Sequence, residues 1–192
     1  MKLRSIAVLF AFAIASAAAY AQAGVYATFS AERFSRTGSV VGVTTSDAPW
    51  LYGPTVGAFY TFHKIPGIGE LKTGPVSIGL DGRGDFMHGS LYDRADGIIS
   101  LRVTPKHLVK NIMPYIQGGA GIGHTKIPHA LTFSNNWSYL FAAGADRRIK
   151  EHVDWRVFEF SGGFLGDYSA GIASNQSNYM LTLSTGLVFH PY

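Results

Sequence analysis

Eight segments of this chain alternate apolar with small or polar side chains at a period of two, the pattern of strands whose two faces meet different surroundings. Val25, Ala27, Phe29 and Ala31 alternate with Tyr26, Thr28, Ser30 and Glu32. Val56, Ala58, Tyr60 and Phe62 alternate with Gly57, Phe59 and Thr61. Val76, Ile78, Leu80, Gly82 and Gly84 alternate with Ser77, Asp81, Arg83 and Asp85. Ile99, Leu101 and Val103 lie opposite Ser100, Arg102 and Thr104, and Ile116, Gly118, Ala120 and Ile122 lie opposite Gln117, Gly119, Gly121 and Gly123. Trp137, Tyr139, Phe141, Ala143 and Ala145 oppose Ser138, Ala142, Gly144 and Asp146. Val153, Trp155 and Val157 oppose Asp154 and Arg156, with Glu159 out of step, the mark of a bulge or of a membrane edge. The last set places Tyr179, Leu181, Leu183, Leu187 and Phe189 against Thr182, Ser184, Gly186 and His190.

Each segment has about the 9–11 residues that a tilted strand needs to cross a bilayer. Eight strands use about 80 residues and sixteen would use about 160, so a wide porin is excluded. A secreted β-sandwich or lipocalin-like barrel is the soluble alternative. It would need a dry core, and the polar face here holds Glu, Asp, Arg, Ser and Thr, the wrong filling for one. The apolar face carries its Trp, Tyr and Phe near segment ends, as an interfacial girdle demands. An open sheet edge in lipid would leave backbone groups unpaired, so the ring must close. The expected fold is all-β, an eight-stranded antiparallel up-and-down transmembrane β-barrel.

The amino terminus reads as an address. Lys2 and Arg4 precede an apolar, alanine-rich run from Ile6 to Ala19, and Ala21-Gln22-Ala23 offers small residues at a cleavage site. That three-part pattern is a secretory signal peptide, residues 1–23. It is too short for a spanning helix of roughly 20 strongly apolar residues. Cleavage leaves 169 of the 192 residues, 24–192, as the barrel domain, exported from the cytoplasm.

The connections alternate as well. Segments 36–52, 87–95, 125–135 and 165–178 are polar and rich in Gly, Ser, Asn, Asp or Tyr. Those near 64–74, 105–113 and 147–152 carry Pro66, Gly67, Pro105 and the charged run Asp146-Arg147-Arg148-Ile149-Lys150-Glu151. Barrels of this class turn tightly in the periplasm and loop more widely outside the cell. With the mature start in the periplasm, the first set lies outside the cell, although the first periplasmic turn is longer than the class usually shows.

On this layout the mature chain resembles the small OmpA/OmpX-type family of eight-stranded outer-membrane proteins. Two stretches carry the likeness. Residues Gly144 to Val157 are similar to the strand, basic turn and strand before that family's last hairpin, and Leu181 to Phe189 to its closing strand. The resemblance implies residence in the outer membrane of a Gram-negative-type cell, among its lipids and lipopolysaccharide. It also implies that the assembly machinery reads the closing strand, through Phe189 or the terminal Tyr192. Longer family members add a peptidoglycan-binding domain after the barrel. None is expected here.

Asp81, Arg83 and Asp85 share one strand face, with Arg102 on the next strand, and Glu32, Asp146, Asp154 and Arg156 point to the same interior. An eight-stranded lumen is just wide enough for side chains. Charges there must pair or meet trapped water, because an isolated one costs several kcal/mol. Glu32, Asp81, Arg83, Asp85, Arg102, Asp146 and Arg156 are therefore expected to form an ion-pair plug. The competing readings are a gate for a narrow ion path and acid–base catalysis by paired carboxylates. Trp50, Tyr52, Trp137, Tyr139, Trp155, Tyr179 and Phe189 are expected at the membrane interfaces rather than as a ligand-stacking platform.

The histidines, at 63, 88, 107, 124, 129, 152 and 190, show no helical i, i+4 metal pair and no assignable triad spacing, although His124 and His129 bracket a loop near Ser134. Lipid A enzymes do occur as barrels of this size in the family's wider class. Gly118-Gly119-Ala120-Gly121-Ile122-Gly123 lies within a strand, not at a strand-to-helix turn, so it is read as bending room and lumen space rather than a phosphate cradle. With no cysteine, thiolate chemistry is out. The formal charge of +4, which falls to +2 without Lys2 and Arg4, is too small and scattered for nucleic acid. The expected protein is a monomeric structural and surface-display barrel without catalytic residue, metal or cofactor, its four outer loops serving adhesion. A narrow gated pore and a lipid A-modifying enzyme are the alternatives.

Overall fold

The computed structural model describes residues 23–40, 43–65, 76–91, 93–105, 111–126, 133–167 and 177–190. Of the segment read as a signal peptide only Ala23 falls within them. Tyr192, His107 and His129 also lie outside the described residues.

Nine strands follow one another: β1 (Ala23–Val40), β2 (Val43–Asp47), β3 (Trp50–Ile65), β4 (Val76–His88), β5 (Asp93–Pro105), β6 (Ile112–Lys126), β7 (Phe133–Lys150), β8 (Val153–Asp167) and β9 (Ser177–Phe189). Each of β3 to β9 pairs antiparallel with its predecessor around the ring, β3 pairing back to β1. The ring shuts where β1 meets β9, from Val25↔Phe189 to Thr37↔Ser177. The fold is thus a closed, eight-stranded antiparallel barrel of β1 and β3–β9, and no helix occurs among the described residues. Closure gives each of the eight ring strands two neighbours, which is what lipid requires of a spanning sheet.

Strands β1 and β3–β9 are 13 to 18 residues long, more than a bilayer crossing uses. The surplus changes the outer connections. Segment 36–52, expected as a loop, is a hairpin extension instead, with β2 paired to the end of β1 from Arg36↔Asp47 to Val40↔Val43. Pairing likewise shortens segment 87–95, where β4 runs to His88 and β5 begins at Asp93. Continuing hydrogen bonds past the membrane satisfies backbone groups that an irregular loop would leave to water.

Alternation decides which way each side chain points. Phe29, Ile99, Ile116, Ile122, Phe141, Leu181 and Leu183 are exposed on the outer surface, while Thr28, Ser30, Asp81, Ser100, Arg102 and Ser184 are buried in the lumen. Glu159 joins the lumen through a bulge. Between Arg156 and Glu159 the register slips against both neighbouring strands, so one extra residue is absorbed and both side chains face inward. Ala145, which faces Phe158 at the edge of the same bulge, is buried rather than lipid-exposed.

Candidate functional site

The lumen is layered along the barrel axis. Nearest the outer loops, Phe34, Leu51, Met87, Leu165 and Met180 form an apolar cluster from five strands, each at most 2% exposed. Leu51, Met87 and Leu165 fall in segments expected as outer loops, whereas Phe34 and Met180 continue the inward face of β1 and β9.

Beneath them Arg94 holds Glu32 and Asp96. Its Nε donates to Glu32 Oε1 at 2.9 Å, and its terminal nitrogens donate to Glu32 Oε2 and Asp96 Oδ2. Ser138 adds a bond to Asp96 Oδ2 at 3.0 Å, and Thr182 one to Glu32 Oε2 at 3.0 Å. Glu32 was expected here. Arg94 and Asp96 were missed because they sit at the start of β5, before the alternation of Ile99, Leu101 and Val103 becomes visible.

A hydroxyl relay crosses the next layer. Thr55 donates to Asp85 Oδ1 at 2.5 Å, so its own oxygen must accept from Ser30, at 2.8 Å, and Ser30 must accept from Ser184, at 2.7 Å. Asp85 also receives Arg83 Nη2 at 3.0 Å, and Arg83 Nη1 reaches Glu159 Oε1 at 2.7 Å.

The largest cluster lies on the periplasmic side of that layer. Glu159 Oε2 accepts Tyr115 Oη at 2.6 Å and Arg156 Nη1 at 3.3 Å. Arg156 Nε donates to Asp146 Oδ1 at 3.0 Å, and Arg102 Nη2 to Asp146 Oδ2 at 2.8 Å. Arg102 Nη1 stands 3.6 Å from Asp81 Oδ2, and Tyr26 donates to Asp81 Oδ1 at 2.7 Å. Aromatic faces complete the cage. The Arg102 guanidinium lies 3.7 Å from the Tyr115 ring centroid and 4.3 Å from that of Phe59, and Arg156 lies 4.1 Å from that of Tyr26. Stacked guanidinium is satisfied in its plane by carboxylates and on its faces by π-density.

Three glycines make this cage possible, Gly24 beneath the Phe59 ring and two more beneath the tyrosines. A Cβ on Gly57 would sit 2.5 Å from the Tyr26 ring and hydroxyl, and one on Gly144 would sit 2.5 Å from those of Tyr115. In the glycine run at 118–123, added Cβ atoms at Gly119 and Gly121 would strike β5 carbonyl oxygens, and those at Gly119 and Gly123 would also meet the lumen side chains of Ser100 and Leu165. At the periplasmic mouth His190 Nε2 meets Asp154 Oδ2 at 2.8 Å, with Arg148 Nε 3.4 Å from the other oxygen.

All seven lumen residues named from the sequence are thus buried, and they share one interior with Arg94, Asp96, Glu159, Tyr26 and Tyr115. Among the described residues, four buried arginines face seven buried carboxylates there, Asp154 at the mouth included. Gln117, with neither amide atom bonded to protein, and the hydroxyls of Ser100 and Ser161 need water to satisfy them. Trp50, Tyr52, Trp137, Tyr139, Trp155, Tyr179 and Phe189 all stand on the outer surface, Trp50 stacked on Tyr52 and Tyr139 on Phe164.

No protein-family model matches the chain, and none of the curated proteins matches it. Among solved structures it is similar to Neisserial surface protein A (NspA), with 13% identity and a TM-score of 0.52 over 86% of this chain and 96% of that one. It is also similar to Ail, the attachment invasion locus protein of Yersinia pestis, with 13% identity and a TM-score of 0.43 over 88% and 99% of the two chains. Similarity to the outer membrane enzyme PagL covers 80% and 97%, with 12% identity and a TM-score of 0.45.

A closed ring of strands, apolar toward lipid and charged within, defines an integral outer-membrane β-barrel protein. Its architecture is that of the small eight-stranded OmpA/OmpX type, which NspA shares.

Proposed function

We propose that the protein is a non-enzymatic, monomeric barrel that reinforces the outer membrane and displays its outward hairpins at the cell surface, with its lumen closed by an ion-pair plug. One observation carries this reading: the cluster of Phe34, Leu51, Met87, Leu165 and Met180 across the outer end of the lumen, above arginines already engaged by carboxylates. An apolar constriction resists wetting, and an ion crossing it would lose its hydration without a replacement ligand. Phe189, exposed at the end of β9, is the residue offered to the assembly machinery, and lipid with lipopolysaccharide surrounds the outer face.

Planar-bilayer recording tests the reading. The folded protein is expected to give no conductance steps above background, and regular steps would establish the narrow pore instead. Lipid A from cells that express the folded barrel should keep its mass, whereas a discrete mass change would establish the enzyme.

A further inference from the structure

Besides the lumen, the barrel has a depression on its lipid-facing side. A groove of about 660 Å³ crosses β5 to β8, and Ile116, Gly118, Phe141, Ala143, Phe160 and Gly162 line it. Register explains its shape. Gly118, Phe141 and Gly162 form one cross-strand row, and Ile116, Ala143 and Phe160 form the next toward the periplasm. Ala143 is thus a low point between two bulky neighbours, and glycines flank Phe141 on both sides. One row further down come Pro114, Ala145 and Phe158, again with the small residue in the middle. Two rows beyond Ala143, past the lining of the groove, comes Arg147, which is exposed, makes no ion pair among the described residues and lies between Ile112 and Trp155. Exposed Arg148 and Lys150 follow it at the turn into β8.

Length and charge together select an occupant. From Arg147 to Phe141 is six residues, about 20 Å of strand at about 3.3 Å each, or roughly 15 Å along the membrane normal at a tilt of about 40°. That is about half of a hydrocarbon core of ~30 Å, hence the depth of one leaflet. The tight turn Glu151-His152 lies at the same end of the barrel as both ends of the ring, Ala23 and Phe189, which is the periplasmic side. The leaflet concerned is therefore the inner one.

We propose that this groove binds an anionic glycerophospholipid of the inner leaflet, with one acyl chain seated over Ala143 between Ile116 and Phe160 and its phosphate against Arg147 and Lys150. The site gives the barrel a fixed depth on one side.

Native mass spectrometry of the detergent-folded barrel, titrated separately with phosphatidylglycerol, phosphatidylcholine and lipid A, tests it. The wild type should retain phosphatidylglycerol over phosphatidylcholine by about fivefold for each basic residue engaged. Arg147→Gln should cut that preference about fivefold, and Arg147→Gln with Lys150→Gln should bring the two to parity. Gly162→Leu, where an added Cβ meets nothing nearer than 3.6 Å, should fill the groove and lower retention of both lipids. Ala143→Phe provides the same block from β7, and the heat-modifiable gel shift confirms that each variant is folded. Equal retention of the two phospholipids by the wild type, preference for lipid A, or full retention by folded Gly162→Leu would each overturn the assignment.

Discussion

Glu159→Gln is the most direct probe of the lumen network. Glu159 is 1% exposed and accepts from Arg83 at 2.7 Å, Tyr115 at 2.6 Å and Arg156 at 3.3 Å. Glutamine keeps the shape and one acceptor oxygen. It removes the charge and turns an amide donor toward groups that are themselves donors. Removing one partner of a buried ion pair typically costs about 3–5 kcal/mol. Here Arg83 keeps Asp85 and Arg156 keeps Asp146, which argues for the lower end. A loss of about 3 kcal/mol is a factor of about 160 in the folding equilibrium. Reversible urea unfolding in lipid vesicles, followed by tryptophan emission, measures it. The triple variant Arg83→Met, Asp85→Asn, Glu159→Gln should recover part of the loss, since the guanidinium goes together with both of its carboxylates. A single-variant loss below about 1 kcal/mol, the range of exposed pairs, would show that solvent screens the lumen and that the plug is not dry.

Other outcomes follow from the same geometry. Gly144→Ala should cost about 1–3 kcal/mol by pressing a methyl into Tyr115, whereas Gly82→Ala, with nothing within 4 Å of the new carbon, should be close to neutral in the same unfolding assay. Arg94→Met should strand Glu32 beside Asp96 and destabilise the barrel, and adding Glu32→Gln with Asp96→Asn should restore much of the lost urea midpoint. Leu183→Arg, at the lipid-exposed middle of β9, should cost about 2–4 kcal/mol in vesicles, and a neutral result there would place that strand outside the apolar band.

How far the sequence could be read depended on whether two surroundings imposed a contrast. Within the bilayer, lipid on one side and a polar lumen on the other force strict alternation, so Asp81, Arg83, Asp85 and Arg102 could be assigned to one face without coordinates. Past the membrane the outer face is wet and the contrast fades. There Arg94, Asp96 and the Phe34 to Met180 cluster were missed, although each continues the parity of its own strand. Glu159 was legible in part: its out-of-step charge marked a bulge, which the register slip bears out, while the local inversion of parity hid its direction into the lumen. Tyr26 and Tyr115 illustrate the remaining limit. Their inward direction follows from period two, but their partnership with Gly57 and Gly144 depends on cross-barrel distance, which no spacing along the chain encodes. The lumen must therefore be solved as a packing problem. Each guanidinium needs carboxylates in its plane and a ring on its face, each ring needs a glycine beneath it, and removing any one of the three should disturb the other two.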